Sequence, residues 1–149
     1  MGTTRRLEGG LRLRRGRRTD LTELRRLVPA NGDSRTERFH RRTLADLSHD
    51  VYVAETTDGA LVGVVTIGYV RALGQGRHVA VLDTARAEPG PSGVLEALLD
   101  LAEARARRRG CRQLRAWPEP DDHALRDALA ARGWCDGNIL IGELARQAD

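Results

Sequence analysis

Few side chains in this 149-residue chain could do chemistry, and their spacing narrows what kind. Cys111 and Cys135 stand 24 positions apart without a Cys-x-x-Cys pair, and His40, His49, His78 and His123 are scattered. No set has the spacing of a metal site, so no metal is expected. Two isolated cysteines read as reduced thiols, the state held in the cytoplasm. The carboxylates are better placed. Asp83 follows directly on the run His78-Val79-Ala80-Val81-Leu82, Glu55 ends another such run, and Glu119, Asp121 and Asp122 crowd one loop. Carboxylates serve as general bases where a substrate must lose a proton. A third feature is Glu88-Pro89-Gly90-Pro91-Ser92-Gly93, too rich in Gly and Pro for a regular element and opening directly onto an apolar helical pattern. Glycines let a backbone approach phosphate, and a helix N-terminus offers free N–H groups and a positive dipole.

The elements that must position these groups follow from periodicity. Residues 1–10 lack a pattern and are expected to be a flexible basic tail, leaving residues 11–149 as one domain. Leu11 and Leu13 alternate with arginines, as in a half-buried strand. Asp20 and Glu23 have the spacing of a capping box, ahead of a helix carrying Leu21, Leu24, Leu27 and Val28. Pro29 and Asn31-Gly32-Asp33 end it, and a second helix is expected over residues 36–47. Strands follow at residues 51–54 and 61–70 around a Thr57-Asp58-Gly59 turn, and at residues 78–82 after Gly74-Gln75-Gly76. The long third helix carries Val94, Leu98 and Leu101 toward a sheet and ends at Gly110. A strand over residues 111–116, a helix capped by Asp121 or Asp122 and closed by Gly133, and a strand at residues 139–141 complete the order β-α-α-β-β-β-α-β-α-β.

Composition sets the class. One domain of this length buries roughly two-thirds of its unfolded surface without needing disulfides or metal. Phe39, Tyr52, Tyr69, Trp117 and Trp134 are all the aromatic residues, so Leu, Val, Ile and Ala must build the core. No apolar run reaches the ~20 residues of a membrane span, and no export signal follows the N-terminus, which predicts a cytoplasmic protein without membrane contact. All 25 basic residues are arginine. Residues 1–18 carry a net charge of +6 and the remainder −2, so the basic character resides in an N-terminal arm. Such an arm is either a solvated end or a docking site for an acidic partner.

This order of elements, with the Ala54-Glu55…Asp58-Gly59…Leu61-Val62-Gly63 hairpin, the long helix "GVLEALLDLAEARARRRGC" and the helix "ALRDALAARGW", resembles the GNAT acetyltransferase superfamily over about residues 11–144. The resemblance implies an α/β fold: a mixed, mostly antiparallel sheet flanked by four helices. It also implies a splay between the fourth and fifth strands (residues 78–82 and 111–116), where the pantetheine arm of acetyl-CoA or another acyl thioester pairs with backbone. Leu82, Thr84 and Ala85 would border that arm, and Gly90, Ser92, Gly93 and Val94 would border the pyrophosphate. The loop departs from the family pattern: Pro91 stands where a glycine is usual and has no N–H, and Leu95 replaces a small residue. Weak or absent binding of the CoA pyrophosphate is therefore expected.

The resemblance also assigns roles. An amine must lose its proton to attack a thioester, and Asp83 is the acid on the fourth strand, either as that base or as a cap for backbone N–H groups. The tyrosine acid common in the family is replaced by Leu129, leaving Cys135 or water to protonate the leaving thiolate, unless Cys135 is only a free thiol. The implied activity is N-acyl transfer, most simply of acetyl, from a CoA-type thioester to a small-molecule or peptide amine. Transfer from a carrier protein's phosphopantetheine, with an acidic carrier docking on the arginine arm, is a second reading. A non-catalytic binding protein of degenerate motif is a third, and homodimerisation is compatible with each.

Overall fold

The continuous apolar runs at residues 51–54 and 61–70, mostly buried on both faces, build the centre of a six-stranded sheet. The computed structural model describes residues 4–28, 34–91, 93–137 and 142. Its strands are β1 (Arg5–Arg6), β2 (Arg12–Arg15), β3 (His49–Glu55), β4 (Leu61–Ala72), β5 (Arg77–Ala87) and β6 (Leu114–Ala116). They lie side by side in chain order, antiparallel except for the parallel β5–β6 pair. The helices are α1 (Leu21–Leu27), α2 (Ser34–Ala45), α3 (Val94–Arg108) and α4 (His123–Ala131). This is the mixed α/β architecture expected, with four helices. Within residues 1–10, Arg5 and Arg6 pair with Leu13 and Arg12. The strand expected at residues 139–141 lies outside the described residues. Among the described residues no helix is long and apolar enough to cross a membrane, and no three His, Cys, Asp or Glu gather as metal ligands.

Each face of the sheet has its own core. On one, Leu24 and Leu27 of α1 pack with Val51, Val53, Leu61 and Val64. On the other, Val94, Leu98 and Leu101 of α3 and Leu125 and Leu129 of α4 join Leu13, Tyr52, Val65, Ile67, Ala80, Leu82 and Ala85. Both helices end as their glycines predict. Gly110 and Gly133 adopt positive φ, and the next residues, Cys111 and Trp134, donate N–H bonds back to the carbonyls of Ala106 and Leu129. Gly63 lets α3 sit close to β4, because a Cβ there would lie 2.8 Å from Val94 Cγ1 and 2.9 Å from Leu98 Cδ1. Gly63→Ala should therefore cost roughly 1–3 kcal/mol of stability by overpacking, read from denaturant unfolding. An unchanged midpoint would show that α3 can move away freely.

Two local expectations are corrected. The strand at residues 111–116 is shorter, forming only over Leu114–Ala116, because Gly110 and Cys111 are occupied in closing α3. Asp20 does not cap α1. Its carboxylate instead takes both guanidinium amines of buried Arg14, each at 2.8 Å, and the Arg17 N–H at 2.7 Å. A bidentate charged partner outcompetes a helix cap for a buried carboxylate. The bond to Asp20 raises the pKa of Arg14 further above its ordinary value, keeping the buried guanidinium charged.

Candidate functional site

The site is built around a slip in the β4–β5 ladder. Thr66 pairs with Thr84 but Ile67 pairs with Leu82, so Asp83 is an extra residue opposite no partner. Such a bulge shifts the alternation of the strand. Ala80 and Leu82 reach the α3-side core before it, and Ala85 reaches the same core after it. Asp83 itself is exposed. Its Oδ2 accepts bonds from the hydroxyls of Thr66 at 3.2 Å and Thr84 at 3.3 Å. The other oxygen has no protein partner among the described residues.

At the same point the sheet opens. β5 pairs with β6 only through Ala80–Leu114, Val81–Arg115 and Leu82–Ala116, after which β6 ends and β5 continues to Ala87. Residues 83–87 thus have no strand on that side among the described residues. A cleft of about 420 Å³ lies there. Ala85, Arg86 and Ala87 form one wall, and Leu125, Ala124, Glu119, Asp121 and Asp122 form the opposite one. Glu88, Pro89 and Leu95 border it at the start of α3, with Arg26 and Leu27 of α1 beside them. Asp122 caps α4, its Oδ1 accepting the Leu125 N–H at 3.2 Å. Glu119 and Asp121 have no side-chain partner among the described residues.

The other candidates fall around this opening in different ways. Leu82, Ala85 and Val94 bury their side chains, so only their backbones can meet a ligand. Thr84 is half-buried and turned to Asp83. Gly90 and Gly93 are exposed with φ of 132° and 80°, conformations that a side chain would strain. Ser92 lies outside the described residues. Cys135 is exposed beyond α4, and neither it nor Asp83 lines the cleft. Glu55 is committed elsewhere. Bonds from Arg14 and Arg12 hold its pKa below the usual carboxylate value, so it is not a free base. Leu129, which the resemblance sets in place of a tyrosine acid, is buried in the core.

An open strand edge suits an extended amide-containing chain such as pantetheine, which can pair as a strand does. The start of α3 suits a diphosphate less, since Pro91 offers no N–H and four carboxylates of the lining face only two arginines.

No family model matches the sequence, and no curated protein matches it. Solved structures do. An aminoglycoside antibiotic 6′-N-acetyltransferase from Acinetobacter baumannii superposes with a TM-score of 0.77, at 14% identity over 93% of this chain and 100% of its own. The chain has the GNAT acetyltransferase fold. A transcriptional regulator from Bacillus halodurans shares that fold, with a TM-score of 0.76 at 16% identity over 91% and 99% of the two chains. So does AAC(6′)-Iy, solved in complex with a bisubstrate analogue, CoA-S-monomethyl-acetylneamine, with a TM-score of 0.74 at 18% identity over 92% and 99%. At these identities the likeness concerns the GNAT fold and not the substrate.

One pairing at the site had no sequence signal. Arg26 and Glu88 border the cleft from different elements, 62 residues apart, and only the fold brings them together. Glu88 was legible as the start of a loop, but Arg26 stood among the exposed arginines of α1.

Proposed function

We propose that the protein transfers an acyl group, in the simplest case acetyl, from a CoA-type thioester to the amine of a small molecule or peptide. The observation that carries this reading is the edge of β5 left unpaired beyond the end of β6, beside a cleft. In the transfer, the amine nitrogen bonds to the thioester carbonyl carbon while the carbon–sulfur bond breaks. Asp83 and Cys135 stand outside the cleft lining, so the amine's proton reaches the free oxygen of Asp83 through water, and the departing thiolate takes a proton from water or, through water, from Cys135. The solved relative that acetylates an aminoglycoside supports a small-molecule amine as acceptor.

A thiol-release assay tests the reading. Acetyl-CoA and S-acetyl-pantetheine would be offered with a panel of aminoglycosides, polyamines and peptide N-termini. Amine-dependent thiol release, with an acylated product of matching mass, is the expected result. Absence of amine-dependent release with both donors across the panel would favour a binding protein built on the same fold.

A further inference from the structure

The charge of the cleft is the feature that acyl transfer alone does not explain. Arg26 reaches from α1 to the start of the α3 loop, where its guanidinium is shared among three acceptors. It donates to the Glu88 carboxylate, to the Leu61 carbonyl at 2.9 Å and to Glu23 at 3.1 Å. Two carboxylates thus hold one cation. Glu119 and Asp121 also line the cleft, with no side-chain cation partner among the described residues, and Arg86 is the second arginine of the lining. A phosphate entering here would meet an Arg26 already neutralised and two uncompensated negative charges.

We infer that Glu88 determines donor specificity. By holding Arg26 it denies the nucleotide half of CoA one of the two arginines of the cleft, and so favours thioesters carried on pantetheine without a diphosphate. The inference rests on the cleft being the donor site. Glu88 is fixed independently of its side chain, because its N–H donates to the Val62 carbonyl at 2.8 Å. Glu88→Gln therefore removes the charge while leaving the loop anchored. Arg26 would keep its bonds to Leu61 and Glu23 and gain N–H capacity for phosphate.

The test is calorimetric titration of the full chain with CoA and, separately, with pantetheine. The unmodified protein, Glu88→Gln and the double variant Arg26→Gln/Glu88→Gln are compared. Thermal melts of all three confirm folding. Glu88→Gln should bind CoA about tenfold or more tightly, the factor expected of one added charge-assisted bond to phosphate. That gain should shrink with salt and vanish in the double variant, while pantetheine affinity stays constant throughout. Equal CoA affinity in the unmodified protein and Glu88→Gln, with pantetheine bound by both, would overturn the inference alone. So would an equal gain for both ligands. Failure of any variant to bind pantetheine would overturn the donor-site reading and this inference with it.

Discussion

Asp83→Asn is expected to slow acyl transfer by about 10²- to 10⁴-fold, the usual worth of positioned general-base help. Asparagine keeps the shape and an oxygen that can still accept from the Thr66 and Thr84 hydroxyls, which hold Asp83 at 3.2 and 3.3 Å. What it loses is the ability to take a proton. The side chain is exposed at a bulge, so the fold should survive and the melting temperature should barely move. Turnover with an accepted amine, measured beside Cys135→Ala, separates the roles. Cys135→Ala should cost less, because water can replace a weak acid. A rate indifferent to Asp83→Asn would remove this carboxylate from the chemistry.

The largest expected loss of stability belongs to Asp50. This carboxylate is wholly buried at the start of β3. It accepts the Tyr69 hydroxyl at 2.7 Å, Arg105 Nε at 3.1 Å and Arg15 Nη1 at 3.1 Å, with Arg109 at 3.7 Å. One anion thus ties β2, β3, β4 and the C-terminal end of α3 together. Removing one partner of a buried charged cluster leaves the others uncompensated, so Asp50→Ala should cost about 3–5 kcal/mol. Denaturant unfolding would read this as a midpoint shift at constant slope, and an effect below about 1 kcal/mol would show that water replaces the carboxylate.

The cluster also sets a pH dependence. Burial alone would raise the Asp50 pKa, but the Tyr69 and Arg105 bonds and the charges of Arg105 and Arg109 outweigh it and hold the pKa below the usual value. A carboxyl with a lowered folded pKa stabilises fully above its unfolded pKa of about 3.9 and loses that contribution as pH falls through the folded value. Asp50→Ala should therefore flatten the acid limb of the stability profile. Burial and the Asp50 bond move the Tyr69 phenol the other way, to a raised pKa, so it stays a proton donor to the carboxylate.

Much of the frame was legible because short-range patterns encode it. The β3–β4 hairpin follows from two apolar runs and a turn closed at Gly59, whose φ is 89°. The α3 face follows from helical spacing of Val94, Leu98 and Leu101, and its end from Gly110. Asp83 was legible as a carboxylate beside an apolar run. Its bulge was not, because a slip between the Thr66–Thr84 and Ile67–Leu82 pairs depends on how two strands pair and leaves no mark in either alone. Asp20 misled for a related reason: its spacing to Glu23 suits a cap, and only the fold delivers Arg14 to compete. Asp50 had a usable signal. Two residues before Tyr52 in the same strand, it shares the inward face, and an inward carboxylate demands cationic partners. Those partners come from β2 and α3, and no local pattern names them.

The most direct measurement is an amide NMR titration of isotopically labelled protein with S-acetyl-pantetheine. If the donor lies in the opening beyond Leu82 and Ala116, the N–H signals of residues 83–87 should shift first and most, followed by those of Leu95 and Leu125 on the facing walls. Saturating shifts confined to those positions are the expected result. Unchanged signals along residues 83–87 at millimolar ligand, or shifts restricted to the arginine-rich N-terminal strands, would contradict a thioester site between β5 and β6.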